Sequence, residues 1–92
     1  MLTIYGYNSK VHKCVHCDNA KRFCDMKGIP FEFMSVAVGK VDNNIEFNDE
    51  VVAELLHRLG RDSKVGLTMP QIFREDTGEH IGGFSELRTY KF

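Results

Sequence analysis

The sequence contains no tryptophan, two prolines and three cysteines among its 92 residues. An odd number of cysteines does not suit the disulfide framework of a small secreted domain. The sequence also lacks the roughly 18 consecutive apolar residues of a membrane helix, and its N-terminus lacks the basic start and long apolar stretch of a signal peptide. We therefore expect a protein of a reducing, cytoplasmic compartment, where closely spaced cysteines are more often catalytic or metal-binding than structural.

An excess of charge of one sign is missing as well. Twelve basic residues face 13 acidic ones, so the formal net charge is -1. A chain this balanced lacks the electrostatic attraction that binds basic proteins to nucleic acids and anionic membranes, and we expect neither as a partner. The hydrophobic fraction of 42% suits a globular core, and the length suits one domain over residues 1–92. We expect this domain to be a monomer.

Hydrophobic patterning predicts the element order β-α-β-α-β-β-α. Strands are expected at residues 2–7, 31–38, 71–74 and 80–82, helices over about Val15–Lys27, between Asn48 and Gly60 and from about Ser85, and a loop over Gly39–Phe47. Two strands joined through a helix should pair in parallel with a right-handed crossover, and a hairpin at the end of the chain should add antiparallel strands. The predicted fold class is therefore α/β, a mixed four-stranded sheet with helices on both faces.

The motif with the clearest chemistry is Cys14-Val15-His16-Cys17, between the first predicted strand and helix. Two cysteines three residues apart at a helix start place their sulfurs on one side of the first turn. The partial positive charge and free N–H groups of the helix N-terminus favour a thiolate over a thiol. Cys14 comes earlier in the turn and should be the exposed, attacking thiolate, whereas Cys17 should resolve the mixed disulfide. This arrangement predicts a dithiol oxidoreductase.

Two other functions fit the same residues. Cys14 and Cys17 could be half of a zinc site or hold a glutathione-assisted iron–sulfur cluster, but zinc needs about four ligands. No second CxxC and no HxxxH completes a regular site, although further side chains are available at His12, His16, Cys24, His57 and His80. The other alternative is a non-enzymatic subunit that binds partners at Met69-Pro70.

A second motif is Thr68-Met69-Pro70, directly before the strand predicted at 71–74. Proline cannot donate to a strand ladder, and an X-Pro bond that is cis could leave the Met69 main chain free to pair with an extended peptide. Alone this motif is weak, because most such prolines are trans turn formers. Gly82-Gly83 precedes the helix at Ser85-Glu86. The two glycines would let a ligand approach the backbone closely, and the helix start could bind a carboxylate. The same two glycines equally fit a turn that needs positive φ.

Together these elements resemble the glutaredoxin branch of the thioredoxin superfamily, and the likeness covers essentially the whole chain. It implies a thioredoxin fold in which three helices flank the four-stranded sheet. Long strings are particularly similar to family members of T-even bacteriophages. These strings are His12-Lys13-Cys14-Val15, Cys17-Asp18-Asn19-Ala20-Lys21-Arg22, Ala53-Glu54-Leu55-Leu56, Leu59-Gly60-Arg61-Asp62 and Gly66-Leu67-Thr68-Met69-Pro70-Gln71.

The resemblance also implies residue roles. Cys14 corresponds to the nucleophile, Cys17 to the resolving thiol and Pro70 to a cis-proline. The Met69 main chain would pair with the substrate's cysteine, and the segment 82–86 would hold the γ-glutamyl end of glutathione. The full set of implied substrate and glutathione contacts is Lys13, His16, Thr68, Met69, Pro70, Gln71, Gly82, Gly83, Ser85 and Glu86, with Lys13 and Gln71 near the glycyl carboxylate.

The activity that the resemblance implies is reduction of protein disulfides, including that of ribonucleotide reductase, and of glutathione mixed disulfides. Glutathione would be the reducing cosubstrate and thioredoxin reductase a second electron source, with no metal. If a phage encodes the chain, the location would be the host cytoplasm. The sequence departs from the commonest family pattern because Val15-His16 replaces Pro-Tyr between the cysteines, which bears on the reduction potential and on partner preference.

Overall fold

The chain folds into six strands and three helices, and the computed structural model describes all residues from 1 to 92. In chain order the elements are β1 (Leu2–Gly6), α1 (Val15–Lys27), β2 (Phe31–Ser35), β3 (Ala37–Val41), β4 (Asn44–Phe47), α2 (Asp49–Leu59), β5 (Gln71–Arg74), β6 (Glu79–Gly82) and α3 (Phe84–Thr89). None of the three helices has the length and apolarity needed to cross a bilayer.

Four of the strands form a mixed sheet in the order β2-β1-β5-β6. β1 and β2 are parallel and are joined through α1, whereas β5 is antiparallel to both β1 and β6. The predicted fold class is confirmed, including the crossover helix and the C-terminal hairpin. Because Tyr5 pairs with Gln71, the end of β1 lies beside the start of β5.

The prediction of a loop over Gly39–Phe47 is wrong. β3 and β4 form a separate antiparallel hairpin, and the strand predicted over 31–38 is divided between β2 and β3. Asp42 and Asn43 form the turn with φ of 50° and 65°, a conformation that short polar side chains tolerate and that two-residue hairpins require. The chain bends after β2, where the Ser35 hydroxyl donates to the Ala37 carbonyl at 2.7 Å.

The helix boundaries follow the capping residues. The side-chain oxygen of Asn48 accepts a hydrogen bond from the Val51 N–H at 3.3 Å and caps α2, as an N-cap asparagine should. Helices α1 and α2 end at Gly28 and Gly60, both with φ of 68°, the left-handed conformation that glycine adopts without penalty. The predicted ends of both helices are confirmed.

The core lies on both faces of β1, whose five residues are all buried. On one face α1 and α3 cover the sheet, and on the other face α2 does. The first cluster contains Leu2, Ile4, Ala20, Cys24, Ile72, Ile81 and Leu87. The second contains Tyr5, Val36, Val52, Leu55 and Phe73. β1 is therefore a buried interior strand of the sheet, and a loop connects its end to the start of α1.

A polar network joins α2 to the sheet. The buried Tyr5 hydroxyl donates to Glu54 at 2.8 Å, and Arg58 donates to the Tyr5 oxygen at 3.2 Å. Arg58 also pairs with Glu75 at 2.8 Å, beyond the end of β5. A tyrosine phenol is protonated at neutral pH, and burial raises the pKa of the Tyr5 phenol further, so the hydroxyl remains a donor. The network holds α2 over the second cluster.

Replacing Tyr5 by phenylalanine tests the contribution of this network. We expect Tyr5→Phe to lower the free energy of unfolding by about 1 kcal/mol, because the ring remains while Glu54 and Arg58 each lose a hydrogen-bond partner. Urea denaturation at pH 7 measures the change. Ser9→Ala, which removes only the exposed hydrogen bond to Asp18, should change stability by less than about 0.5 kcal/mol. Equal effects of the two substitutions would contradict the expectation.

Candidate functional site

The two cysteines of the CxxC motif meet at the first turn of α1. Cys14 is the N-cap residue, and its sulfur accepts a hydrogen bond from the Cys17 N–H at 3.3 Å. The Cα atoms are 5.2 Å apart and the two sulfurs form a disulfide. A sulfur at the N-cap lies where the helix N–H groups and the helix dipole stabilise negative charge. This geometry suits a disulfide that is reversibly reduced to a dithiol and re-formed.

The two sulfurs differ in their access to solvent. Cys17 is completely buried, whereas Cys14 is partly exposed at the start of the helix. A group that approaches from solvent therefore meets Cys14 before Cys17. This difference agrees with the expectation that Cys14, at the start of the turn, is more exposed than Cys17.

Gly6 is a site residue that the sequence analysis missed. A Cβ atom at Gly6 would lie 2.7 Å from the Cys17 sulfur and 3.4 Å from the Phe33 ring. The last residue of β1 must therefore lack a side chain for α1 to begin this close to the sheet. Glycine inside a strand is a known indication of close approach by another group, and this signal could have identified the position.

A cleft of about 200 Å³ includes His16, the residue before Cys17, in its wall. Its lining residues are His16, Thr68, Met69, Pro70, Gly83, Phe84, Ser85 and Glu86. Seven of these were expected contacts, and Phe84 is an addition. The Met69–Pro70 bond is cis, and the main-chain N–H and carbonyl of Met69 take part in no hydrogen bond. An extended ligand can therefore pair with Met69.

Three of the expected contacts do not line this cleft. Lys13 is exposed next to Cys14. Gly82 has φ of 118°, and a Cβ there would be 2.8 Å from a Glu86 oxygen, so it shapes the turn before α3. Gln71 is only 9% exposed, and its amide nitrogen donates to the Thr68 carbonyl at 2.7 Å. The Gln71 side chain is thus bonded inside the protein.

The rim of the cleft at α3 carries an acid. A Glu86 carboxylate oxygen accepts a hydrogen bond from the Gly83 N–H at 2.7 Å. This internal bond uses the N–H group that could have received a ligand carboxylate at Gly83. The Glu86 carboxylate instead gives this end of the cleft a negative charge, which favours a cationic group on the ligand.

A second, apolar cleft of about 220 Å³ lies on the other side of Met69. Its lining residues are Tyr7, Phe47, Val52, Lys64, Val65, Leu67 and Met69. Tyr7 therefore contributes to a surface groove, and its ring also packs edge-on against His12 at 5.0 Å between centroids. Met69 forms a wall shared by the two clefts.

The remaining candidate ligands do not gather around the cysteine pair. No three side chains of His, Cys, Asp or Glu lie close enough together to hold a metal ion. A zinc site built on Cys14 and Cys17 would therefore obtain only two ligands from this chain, fewer than zinc requires. Cys24 is part of the first core cluster, where it packs as a small hydrophobic side chain.

Comparison with known proteins finds similarity over almost the whole chain. No family model matches it. Over 90 residues the chain is 54% identical to a glutaredoxin of Enterobacteria phage T4, and the match covers 98% of each chain. This near-complete coverage at high identity shows the family.

Solved structures show the same fold. Glutaredoxin 1 of Francisella tularensis, in complex with cacodylate, matches with a TM-score of 0.58 and 27% identity over 95% of this chain and 86% of that one. The glutaredoxin of Brucella melitensis matches with a TM-score of 0.58 and 28% identity, over 95% and 73% of the two chains. A buckwheat glutaredoxin–glutathione complex matches with a TM-score of 0.61 and 22% identity, over 95% of this chain and 64% of that one.

The contact between Gly6 and Cys17 can be tested by adding one methyl group. We expect Gly6→Ala to lower the free energy of unfolding of the oxidised protein by about 1–3 kcal/mol, the usual range for overpacking, because its Cβ meets the Cys17 sulfur. Gly39→Ala in β3 is a matched control, since a Cβ atom at Gly39 would have no neighbouring atom within 4 Å. Denaturant titration measures both variants. A Gly6→Ala protein as stable as Gly39→Ala would disprove the close contact.

The reactivities of the cysteines should differ sharply in the reduced protein. Burial raises the pKa of the Cys24 thiol to about 11, so this thiol stays protonated at pH 8 and is also inaccessible. Iodoacetamide at pH 8 should modify Cys14 and leave Cys24 unmodified until denaturant is added. Peptide mass mapping measures the sites. Modification of Cys24 in the native protein at a rate similar to that of Cys14 would contradict the structure.

Proposed function

Because the chain belongs to the glutaredoxin family and is a thiol–disulfide oxidoreductase, we propose that Cys14 is its nucleophile and Cys17 its resolving thiol. The observation that supports these roles is the unequal exposure of two sulfurs in bonding contact at the start of α1. The accessible sulfur is the one at the N-cap, where a thiolate is stabilised. The buried sulfur can reach only Cys14.

The reaction follows from these positions. The Cys14 thiolate attacks one sulfur of the substrate disulfide, forms a mixed disulfide and expels the other substrate sulfur as a thiolate. The Cys17 thiolate then attacks the Cys14 sulfur, which closes the Cys14–Cys17 disulfide and releases the second substrate thiolate. After protonation the products are two thiols. The substrate gains the two electrons that the enzyme dithiol loses.

We propose glutathione as the reductant that restores the dithiol. One glutathione thiolate opens the Cys14–Cys17 disulfide by attacking Cys14, and a second attacks the resulting Cys14 mixed disulfide to give oxidised glutathione and free Cys14. Glutathione is a peptide, so its cysteinyl main chain can pair with the unpartnered Met69 main chain. The buckwheat glutaredoxin was solved with glutathione, which supports this choice.

The ends of glutathione differ in charge, and the surroundings of the cleft differ correspondingly. The γ-glutamyl end carries an ammonium group that the Glu86 carboxylate would attract, with Gly83 and Ser85 beside it. The glycyl end carries only a carboxylate, for which Lys13 is the exposed cation adjacent to Cys14. His16, whose ring lines the cleft, would contact the bound tripeptide.

Protein disulfides are the proposed substrates, together with glutathione mixed disulfides. Ribonucleotide reductase as a client and thioredoxin reductase as a second electron source are proposals that derive from the family resemblance of the sequence. We also propose that the protein is a monomer and that it acts in the cytoplasm. A partly exposed Cys14 and an open main-chain segment at Met69 suit substrates that present a disulfide on an extended peptide.

Single replacements of the cysteines test the assigned roles. We expect Cys14→Ser to abolish reduction of a glutathione-coupled disulfide substrate, because no other accessible thiolate remains. Cys17→Ser should retain the first attack and accumulate a mixed disulfide on Cys14, which mass spectrometry of the intact protein detects. Cys24→Ser is the matched control and should keep the wild-type rate. Full activity in Cys14→Ser would refute the mechanism.

A further inference from the structure

The side chain of Gln71 is one of two buried polar side chains in the chain. It stands at the first position of β5, directly after Pro70. A buried primary amide requires hydrogen-bond partners, and Gln71 has them at both ends. Its nitrogen is 2.7 Å from the Thr68 carbonyl oxygen and 3.4 Å from the Thr68 hydroxyl, and its oxygen is 2.8 Å from Nε2 of His80.

The chemistry of the partners fixes the direction of each hydrogen bond. The Thr68 carbonyl can only accept, so the Gln71 amide must present its nitrogen there and its oxygen to His80. The His80 Nε2 must then carry a hydrogen and donate it. Both the imidazolium and the neutral Nε2–H tautomer meet this requirement, so the chain of bonds runs from His80 to Gln71 to Thr68 in either protonation state.

The histidine end of this chain is attached to the rigid sheet. The pairing of β5 with β6 shifts register between Ile72 and Phe73, and such a bulge redirects the side chains next to it. The His80 ring stacks on Phe73 with centroids 4.8 Å apart and planes 29° apart. Phe73 is only 2% exposed and packs edge-on against Tyr5.

The Thr68 end, in contrast, belongs to a segment with little support of its own. The chain between Gly60 and Gln71 contains no helix or strand. Its internal hydrogen bonds are local, such as those from Leu67 N–H to the Lys64 carbonyl and from Arg61 to the Val65 carbonyl. Gln71 thus supplies the bond that ties the last turn before Met69 to a strand.

We propose that Gln71 and His80 are positioning residues that hold the Thr68 carbonyl and thereby align the Met69 main chain with the substrate. The proposal rests on the proposed role of Met69 in pairing with the substrate's cysteine. It gives Gln71 a task other than contact with the glycyl carboxylate, because the Gln71 amide is already bonded. Disulfide exchange needs its reacting sulfurs in line, and small displacements of a binding segment reduce productive binding.

Kinetics of substituted proteins test this alignment. The substrate is a glutathionylated peptide at saturating glutathione, and the readouts are its apparent KM, kcat, and the rate of Cys14 alkylation in the reduced protein. Gln71→Met, similar in size but unable to donate, should raise KM roughly fivefold, the effect of about one lost hydrogen bond. Its kcat and alkylation rate should stay within about twofold of wild type, since the nucleophile is untouched.

The exposed His80 gives a second test that does not disturb the core. His80→Phe keeps an aromatic ring on Phe73 but loses the donor, and should raise KM about threefold. His80→Gln can place an amide N–H near the Nε2 position and should restore KM to within about twofold of wild type. If Gln71→Met does not fold, this pair of variants decides the question.

Two controls separate the possible failures. Tyr5→Phe removes the hydrogen bonds to Glu54 and Arg58 but none to Thr68 or Gln71, and should leave KM unchanged. The proposal is overturned if Gln71→Met and His80→Phe keep the wild-type KM, or if Tyr5→Phe raises KM as much as they do. An active Cys14→Ser protein in the same assay would instead refute the proposed mechanism, independently of Gln71 and His80.

Discussion

The close approach of the Cys17 sulfur to Gly6, which leaves no room for a Cβ atom, is the constraint on which the site depends. Only a residue without a side chain allows α1 to begin so close to the end of β1. This proximity buries Cys17 against the sheet and leaves Cys14 at the N-cap. The different environments of two chemically identical residues, and hence their different proposed tasks, follow from this one approach of helix to strand.

The rest of the site is assembled by the order of strands in the sheet. β1 lies beside β5, and the pairing of Tyr5 with Gln71 brings the β1–α1 turn next to Pro70. β6 lies on the other side of β5, and the pairing of Ile72 with Gly82 brings the turn before α3 to the same edge. Three segments that are distant along the chain therefore line one cleft, and each begins or ends at a paired strand that limits its movement.

Polar side chains around this edge of the sheet form hydrogen bonds within the protein, whereas the main chain of Met69 does not. Glu86 bonds to the Gly83 N–H at one end of the cleft, and Gln71 bonds to Thr68 beneath the other. The Met69 main chain between them has no partner. The Met69 main chain, which lines the cleft, therefore keeps its hydrogen-bonding groups available to an extended peptide.

The sequence by itself determined the helices, the strands of the main sheet and the cysteine pair, since capping residues, glycine stops and the CxxC spacing act over a few residues. It also indicated Met69 and Pro70, because proline affects only its immediate neighbours. The close approach at Gly6 and the bond between Gln71 and His80 were decided by the tertiary structure, since each depends on atoms from another segment. The hairpin over Ala37–Phe47 lies between these cases: Asp42 and Asn43 permit its turn, but Phe47 reaches the second core cluster only in the folded chain.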